Sequence, residues 1–307
     1  MPREAFGAGS KFLGRGDLLS FEEIERLARI FVSQGIRKIR LTGGEPLLRK
    51  DLPSLIAMLS RIPGIEIALT TNGSLLAEQA QALADAGLQR ITVSLDSLDE
   101  AVFRAMNDVD FPAARVLDGI EAAAKAGLTP LKVNAVIRRG VNDHTVLELA
   151  RHFRGTGHTV RFIEYMDVGN SNEWRRDEVM SGAEIVRLIG AEMPLERMPA
   201  NYPGEVAQRW RYVDSGGSQA EVGVITSVTQ PFCGACTRAR LSPDGRLYTC
   251  LFATTGTDLR SLVRGGSDAA IAGEIRRVWS ARDDRYSEQR TGDPVTGSRI
   301  EMSYIGG

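Results

Sequence analysis

Residues 20–46, SFEEIERLARIFVSQGIRKIRLTGGEP, have the pattern of a helix, a strand and a glycine-rich loop. Ser20 and Glu23 have the spacing of a capping box, in which each side chain accepts from the other residue's backbone N–H. Apolar residues then recur at helical spacing up to Gly35, and they are Phe21, Ile24, Leu27, Ala28, Phe31 and Val32. Residues 36–41 follow with the pattern of a strand. The stretch therefore predicts one helix–strand unit.

This helix–strand unit recurs through the first two-thirds of the chain. Further strands are predicted at residues 65–70, 90–95, 131–137 and 159–165, and helices at residues 52–61, 77–86, 111–126 and 144–153. Because strands separated by such helices pair through right-handed crossovers, the pattern predicts five parallel strands. Beyond residue 170 it predicts a helix at 183–189, a hairpin of strands 208–213 and 221–228, and a helix at 269–281.

The composition excludes several functional classes. A net charge of −1 at pH 7 provides no broad positive field, which argues against nucleic acid as a partner. The sequence has no run of about eighteen apolar residues, so it predicts no membrane-spanning segment. Its three cysteines have the spacing of metal ligands rather than of a disulfide framework. We therefore expect a soluble protein of the reducing cytoplasm.

Polar segments directly follow the first three predicted strands, where parallel α/β proteins bind their ligands. Residues 42–46, TGGEP, combine two glycines that allow close approach of a ligand with the carboxylate of Glu45. Residues 70–73 and 94–97 add hydroxyl groups and a carboxylate at the same edge. Each segment alone is more typical of a turn or a helix cap. Their shared position is what makes them candidates for a ligand site.

Basic side chains are predicted to face the interior of the sheet, since residues two apart on a strand share a face. They are Lys38 and Arg40 on the first strand, Lys132 on the fourth and Arg161 on the fifth. A buried cation is unfavourable unless a ligand or a carboxylate pairs with it. Two interpretations stay open: these cations bind an anionic ligand, or they form interior ion pairs with Glu45 or Glu164.

All three cysteines lie in one segment, with the spacing Cys-x2-Cys-x13-Cys. Cys233, Cys236 and Cys250 can hold a metal centre and leave one coordination position open, and Arg238 and Arg240 alternate beside them. Structural zinc prefers four Cys or His ligands, and the three histidines lie far upstream. An iron–sulfur cluster with one iron not bound by cysteine therefore suits the segment better. Zinc, or buried cysteines without any metal, are the alternatives.

Six motifs in order resemble one family, the radical S-adenosylmethionine (SAM) GTP 3′,8-cyclases that begin molybdenum cofactor biosynthesis. They are TGGEP at residues 42–46, TTNG at 70–73, VSLD at 93–96, KVN at 132–134, RFIEYMDVG at 161–169 and CGACTRAR at 233–240. The resemblance runs from Leu18 to the terminal Gly-Gly. It implies a partial (β/α)6 barrel of the TIM type in residues 1–200, with its first strand missing. An α+β domain in residues 201–307 would close the barrel.

The resemblance also implies site residues and partners. SAM would bind against Gly44, Glu45, Ser94 and Met166. Substrate GTP would contact Lys38, Arg40, Thr70, Lys132, Arg161, Arg238, Ala239 and Arg240. Cys233, Cys236 and Cys250 would hold a C-terminal [4Fe-4S] cluster whose fourth iron binds the guanine. The tail at Gly306 and Gly307 would reach into the site. A homodimer is implied, and cyclic pyranopterin monophosphate synthase would take the product.

One part of the family pattern is not found in this sequence. Family members hold a second, N-terminal [4Fe-4S] cluster with Cys-x3-Cys-x2-Cys, usually followed by Met-Pro, and this sequence begins with Met1-Pro2. The resemblance implies that the protein to which this sequence belongs converts GTP to (8S)-3′,8-cyclo-7,8-dihydroguanosine 5′-triphosphate by SAM-derived 5′-deoxyadenosyl radical chemistry. The 307 residues alone are expected to bind at most one cluster and not to cleave SAM. The alternatives are a degenerate, non-enzymatic GTP-binding iron–sulfur protein and a zinc-stabilised scaffold.

Overall fold

The chain is described by a computed structural model that covers residues 13–107, 110–169, 174–213, 220–290 and 300–306. Within these ranges eight strands form one sheet in the order β1-β2-β3-β4-β5-β8-β7-β6. They are β1 (Lys38–Leu41), β2 (Glu66–Thr71), β3 (Arg90–Ser94), β4 (Lys132–Ile137), β5 (Thr159–Glu164), β6 (Leu195–Met198), β7 (Gln208–Tyr212) and β8 (Glu221–Ile225). Strands β1 to β5 and β8 are parallel, while β7 pairs antiparallel with β8 and β6 antiparallel with β7.

Helices connect the parallel strands and pack on one face of this sheet. They are α1 (Phe21–Ser33), α2 (Leu52–Ser60), α3 (Leu76–Asp85), α4 (Glu100–Asn107), α5 (Ala113–Lys125), α6 (Val146–Phe153) and α7 (Gly182–Gly190). The main apolar core lies between these helices and the outward-facing residues of the strands. The opposite, inner face of the sheet is polar, which leaves it available for a ligand. This open, largely parallel sheet with helices on its outer face confirms the predicted partial barrel.

The segment after β8 forms a smaller layer that contacts α1. It contains a three-stranded antiparallel sheet of β9 (Arg240–Leu241), β10 (Arg246–Tyr248) and β11 (Thr257–Asp258). It also contains the helices α8 (Arg260–Gly265), α9 (Asp268–Ser280), α10 (Tyr286–Gln289) and α11 (Met302–Ile305). A second apolar core joins this layer to Leu27 and Ile30 of α1. Helix α1 begins with the predicted capping box between Ser20 and Glu23. It therefore supports both cores.

The strand prediction was incomplete at one point. All five predicted parallel strands are present, but a sixth, β8, also pairs parallel with β5, from Val160 opposite Val222 to Ile163 opposite Ile225. The hairpin pattern indicates only that β8 pairs with β7, and it carries no information on the strand that covers the other edge. The predicted domain boundary at residue 200 lies between β6 and β7, which pair in the same sheet. The hairpin turn at 214–218 lies outside the described residues.

Some elements carried no clear signal in the sequence. They are α4, β6, α8, the two short helices α10 and α11, and the three-stranded sheet. Most of them are short, so a period of two or 3.6 residues has little length over which to show itself. Among the described residues, no helix combines the length and the apolar character needed to cross a bilayer.

Candidate active site

Three of the predicted basic residues meet on the inner face of the parallel strands, namely Arg40, Lys132 and Arg161. Arg40 donates hydrogen bonds to the hydroxyls of Thr70, at 2.9 Å, and Thr92, at 3.1 Å, on the two neighbouring strands. Arg161 donates from Nε to Asn134 Oδ1 at 3.0 Å. These partners are neutral, so they orient the two guanidinium groups without cancelling their charge.

The charges of these basic residues are poorly compensated. In the described part of the chain, no carboxylate lies within ion-pair distance of Arg40, Lys132 or Arg161. Burial, together with the neighbouring Arg161, lowers the pKa of Lys132 to about 8. Burial, together with Arg40, lowers the pKa of Arg161 to about 10. Concentrated and desolvated positive charge of this kind favours a multivalent anion.

The alternative of interior ion pairs with Glu45 or Glu164 is wrong. The Glu164 carboxylate is fully buried and accepts from the backbone N–H groups of Gly182, Val228 and Thr229, each at 2.8 Å. The Glu45 carboxylate accepts from the Thr71 hydroxyl at 2.7 Å and from two backbone N–H groups. Both carboxylates therefore stabilise loops and not the basic residues.

The structure places Lys38 differently from the other inner cations. Its ammonium group forms an ion pair with Glu66, which also pairs with Arg90 at 2.9 Å. This row of charges lies at the amino ends of β1, β2 and β3. Lys38 is therefore a neighbour of the cation cluster and already has a carboxylate partner.

A glycine makes room for the Arg161 side chain. Gly223 on β8 is directly opposite Arg161 on β5. A Cβ atom at position 223 would lie 2.8 Å from Arg161 Cγ, closer than packed carbon atoms approach. The absence of a side chain at Gly223 thus lets Arg161 extend across the inner face.

The cysteine segment is supported from two sides. Cys233, Cys236 and Cys250 are unpaired and half-buried. The carbonyl of Cys236 accepts from Arg282 at 2.7 Å, and the N–H of Gly234 donates to Glu288 at 3.0 Å. On the other side lies Gly204, where an added Cβ would meet the Ala235 carbonyl at 2.8 Å. The loop before β7 and the segment around α10 therefore enclose the cysteine turn.

The three thiols are of the ligand type that iron–sulfur clusters take. Among the described residues, no three His, Cys, Asp or Glu side chains form a group that could hold a single metal ion. Burial raises the pKa of Cys250, whereas at Cys236 hydrogen bonds from Arg282 and the Arg238 backbone outweigh burial and lower the pKa.

The arginines beside the cysteines connect this segment to the chain's last described residues. Arg240 is largely buried, and its Nε donates to the Gly306 carbonyl at 3.1 Å. Burial is the main cause, and the positive charge of Arg238 the second, that lowers the pKa of Arg240 to about 10. Gly306 packs so closely on Thr42 that a Cβ would collide with its hydroxyl. Gly306 therefore bridges Arg240 and the loop after β1, while Gly307 lies outside the described residues.

Two family models match consecutive parts of the chain. The Radical SAM superfamily model matches residues 5–153, and the Molybdenum Cofactor Synthesis C model matches residues 158–288. A protein of Acidothermus cellulolyticus named GTP 3′,8-cyclase is 54% identical over 335 residues, which cover 100% of this chain and 91% of that protein. The chain belongs to the GTP 3′,8-cyclase family.

Further members of the GTP 3′,8-cyclase family agree with this assignment, and a solved structure shares the fold. The Xanthomonas axonopodis pv. citri member is 56% identical, covering 94% of this chain and 86% of that protein. The Staphylococcus carnosus member is 45% identical, covering 100% of this chain and 91% of that protein. The crystal structure of Streptococcus suis SuiB bound to S-adenosylmethionine is similar in fold, with a TM-score of 0.60, 14% identity and coverage of 87% of this chain and 62% of SuiB.

The residues that the GTP 3′,8-cyclase resemblance assigns to SAM lie along one edge of the sheet. Gly44 and Glu45 follow β1, Ser94 ends β3, and Met166 follows β5. Gly44 is exposed, and the other three are half-buried. All four thus lie at the carboxyl ends of parallel strands, although the Glu45 carboxylate is already occupied by the loop donors described above.

Two parts of the site were missed by sequence reasoning. Tyr202 and Glu205 lie on the loop between β6 and β7, close enough to Arg161 to influence its pKa. Asp167 and Arg290 form a buried ion pair behind the cysteine segment. No local pattern marks either group, although the position of Asp167 directly after Met166 was a usable hint.

Proposed function

We propose that the protein to which this sequence belongs is a GTP 3′,8-cyclase of molybdenum cofactor biosynthesis, converting GTP to (8S)-3′,8-cyclo-7,8-dihydroguanosine 5′-triphosphate. The observation that carries the proposal is the cluster of Arg40, Lys132 and Arg161 on the inner face of the sheet, which has no carboxylate partner in the described ranges. A nucleoside triphosphate is the anion of matching charge and length. Membership of the family supports its identity as GTP.

The chain's own residues would bind and orient GTP between the two basic groups. Arg161 and Lys132 would contact the triphosphate, since guanidinium groups bind phosphate oxygens bidentately. Arg238, Ala239 and Arg240 would contact the nucleotide at the cysteine segment. Thr70 already holds Arg40 in place with a hydrogen bond of 2.9 Å. Gly306, between Arg240 and Thr42, would close the site and help to exclude water.

Two cofactors would complete this site. Cys233, Cys236 and Cys250 would hold a [4Fe-4S] cluster with an open position toward the guanine, and Gly44, Glu45, Ser94 and Met166 would bind SAM. When bound, SAM and an N-terminal cluster supply the radical chemistry that removes hydrogen from the ribose C3′. Lys38, paired with Glu66, would lie at the end of the triphosphate site and not within it.

The 307 residues contain thiols for one cluster only. Its three cysteines all belong to the segment around Cys236, so we propose that these 307 residues bind a single cubane and do not cleave SAM. After anaerobic reconstitution, we expect about four irons per chain. A content of about eight irons would contradict the proposal, because each cubane needs its own thiolates.

The proposed GTP site is tested by comparing GTP with guanosine. The Arg161→Met variant should lower GTP affinity at least about tenfold, as expected for losing a charge-assisted contact, with guanosine affinity unchanged. Arg187, exposed on α7, provides the control variant Arg187→Met, for which GTP affinity should stay the same. Calorimetric titration measures both. Equal losses for GTP and guanosine, or no loss for GTP, would reject the triphosphate assignment.

A separate test distinguishes the cyclase from a GTP-binding protein without activity. Reading the coding DNA upstream of Met1 for an in-frame Cys-x3-Cys-x2-Cys decides which protein to express. If the motif is found, GTP deuterated at C3′ should transfer its label to 5′-deoxyadenosine. Unlabelled 5′-deoxyadenosine, or none, would favour the degenerate alternative.

We also propose that the protein is a cytoplasmic homodimer whose product passes to cyclic pyranopterin monophosphate synthase.

A further inference from the structure

Arg290 is a buried cation enclosed by aromatic rings behind the cysteine segment. Its guanidinium lies 5.7 Å from the ring centre of Trp174, 5.4 Å from that of Phe252 and 5.5 Å from that of Tyr286. It forms an ion pair of 2.7 Å with Asp167, and both side chains are only 5% exposed. Separating the two side chains would leave a buried charge uncompensated, which is unfavourable.

The members of this cluster come from segments that are far apart in the chain. Asp167 directly follows Met166 in the loop after β5, and Trp174 donates to the carbonyl of Tyr165 in the same loop at 2.8 Å. Arg290 also donates to the carbonyl of Ser227, after β8, at 3.2 Å. The cation therefore joins the carboxyl ends of two strands of the large sheet.

The other side of the cluster reaches Cys250. Phe252 stacks on Tyr286 with ring centres 4.3 Å apart and an angle of 26° between the planes. The N–H of Phe252 lies 3.5 Å from Cys250 Sγ, in hydrogen-bond geometry. The Tyr286 hydroxyl donates a hydrogen bond to the Asp167 carboxylate. An unbroken chain of contacts thus runs from the loop after β5, through Arg290 and Tyr286, to the loop of Cys250.

We propose that Arg290 is a positioning residue that fixes the loop carrying Cys250 relative to the loop carrying Met166. The inference rests on the proposed function, in which the first loop holds the substrate-binding cluster and the second contacts SAM. The two loops must keep a constant separation for the ribose C3′ to meet the radical, and Arg290 holds both at once. Arginine suits this role because a flat guanidinium can stack on several rings while also binding a carboxylate.

The test uses a variant that removes the Asp167–Arg290 ion pair without leaving a buried charge. Replacing both partners, in Asp167→Asn with Arg290→Met, avoids the penalty of an unpaired ion that Arg290→Met alone would cause. The control is Glu23→Gln with Arg264→Met, which removes the ion pair of 2.7 Å between α1 and α8 and the hydrogen bonds of Arg264 to the Gly16 and Leu18 carbonyls. A third variant, Phe252→Leu, removes the ring stacking on Tyr286 and the ring contact with Arg290.

The readout is the alkylation rate of each cysteine in the metal-free chain, resolved by mass spectrometry. We expect the Asp167→Asn, Arg290→Met variant to expose Cys250 to iodoacetamide about fivefold faster relative to Cys233, because local opening frees its loop. The control pair should leave this ratio unchanged. Equal acceleration of all thiols would indicate general destabilisation and overturn the proposal, as would an unchanged ratio.

The Phe252→Leu variant keeps the proposal testable if the double variant does not fold. It leaves both charges in place and should also raise the ratio, by a smaller factor, and an unchanged ratio would again overturn the proposal. The assay needs neither iron nor GTP, so a failure of the proposed function leaves its result intact. A failure of the positioning role would likewise leave the Arg161→Met result on GTP affinity unaffected.

Discussion

The low pKa of Lys132 leads to a specific pH dependence of GTP binding. Burial, followed by Arg161, lowers this pKa to about 8, so in the free chain the side chain loses its proton just above neutral pH. A bound triphosphate requires the ammonium form and would keep Lys132 protonated. GTP binding should therefore weaken as the pH rises through the pKa of the free chain.

The expected size of the effect follows from that pKa. Between pH 7 and pH 9 the protonated fraction of a group with a pKa of about 8 falls about tenfold, which corresponds to about 1.4 kcal/mol of binding free energy. Below pH 7 the affinity should reach a plateau, because nearly every Lys132 then carries its proton. Without burial, a lysine would show this decrease only above about pH 10.

The measurement is a calorimetric titration of GTP into the chain from pH 6.5 to pH 9. Lys132→Arg is the matched variant, since arginine stays charged throughout this range. Guanosine serves as the ligand control, because it shares any titration of the guanine but lacks the phosphates. A constant GTP affinity in the unsubstituted chain would refute the reasoning. So would an equal decrease in Lys132→Arg.

Three further outcomes follow from the same geometry. Lys132→Met should raise the melting temperature of the GTP-free chain by about 2 to 4 °C, because it removes a half-buried charge that Arg161 repels; a lower melting temperature would contradict this. Gly223→Ala should reduce GTP affinity about tenfold in calorimetry, since its Cβ displaces Arg161, and unchanged affinity would show that Arg161 can move aside. Glu164→Gln should lower the free energy of unfolding in urea by about 3 kcal/mol, because an amide cannot accept all the bonds of the carboxylate. A loss below about 1 kcal/mol would mean that Glu164 contributes little.

Sequence reasoning was most successful where chemistry and periodicity coincide. The side-chain alternation in β1, β4 and β5 placed Arg40, Lys132 and Arg161 on one face, and the structure confirms that they lie together there. It could not tell whether carboxylates neutralise them. Glu45 and Glu164 were plausible partners by charge, but both accept hydrogen bonds from backbone N–H groups of loops. The alternation of side chains along a strand does not indicate such loop contacts.

Sequence reasoning was least successful where contacts join distant segments. Arg290 lies in a polar stretch without periodicity, yet it is among the most buried cations of the described chain. Its burial depends on Trp174 and Phe252, which lie 116 and 38 residues earlier in the sequence. The parallel pairing of β8 with β5 was missed for the same reason. In both cases the partner is fixed by tertiary structure, which a single sequence does not display.

The pairing of β5 between β4 and β8 has a consequence for synthesis on the ribosome. The two family models divide the chain between residues 153 and 158, but β5 forms six register pairs with β4 across that division, and four more with β8 on its other edge. While the nascent chain still ends before β8, β5 presents an open edge, the kind of surface that promotes association between chains. About sixty residues separate β5 from β8 in the chain, so we expect this edge to be exposed to association until β8 has been synthesised.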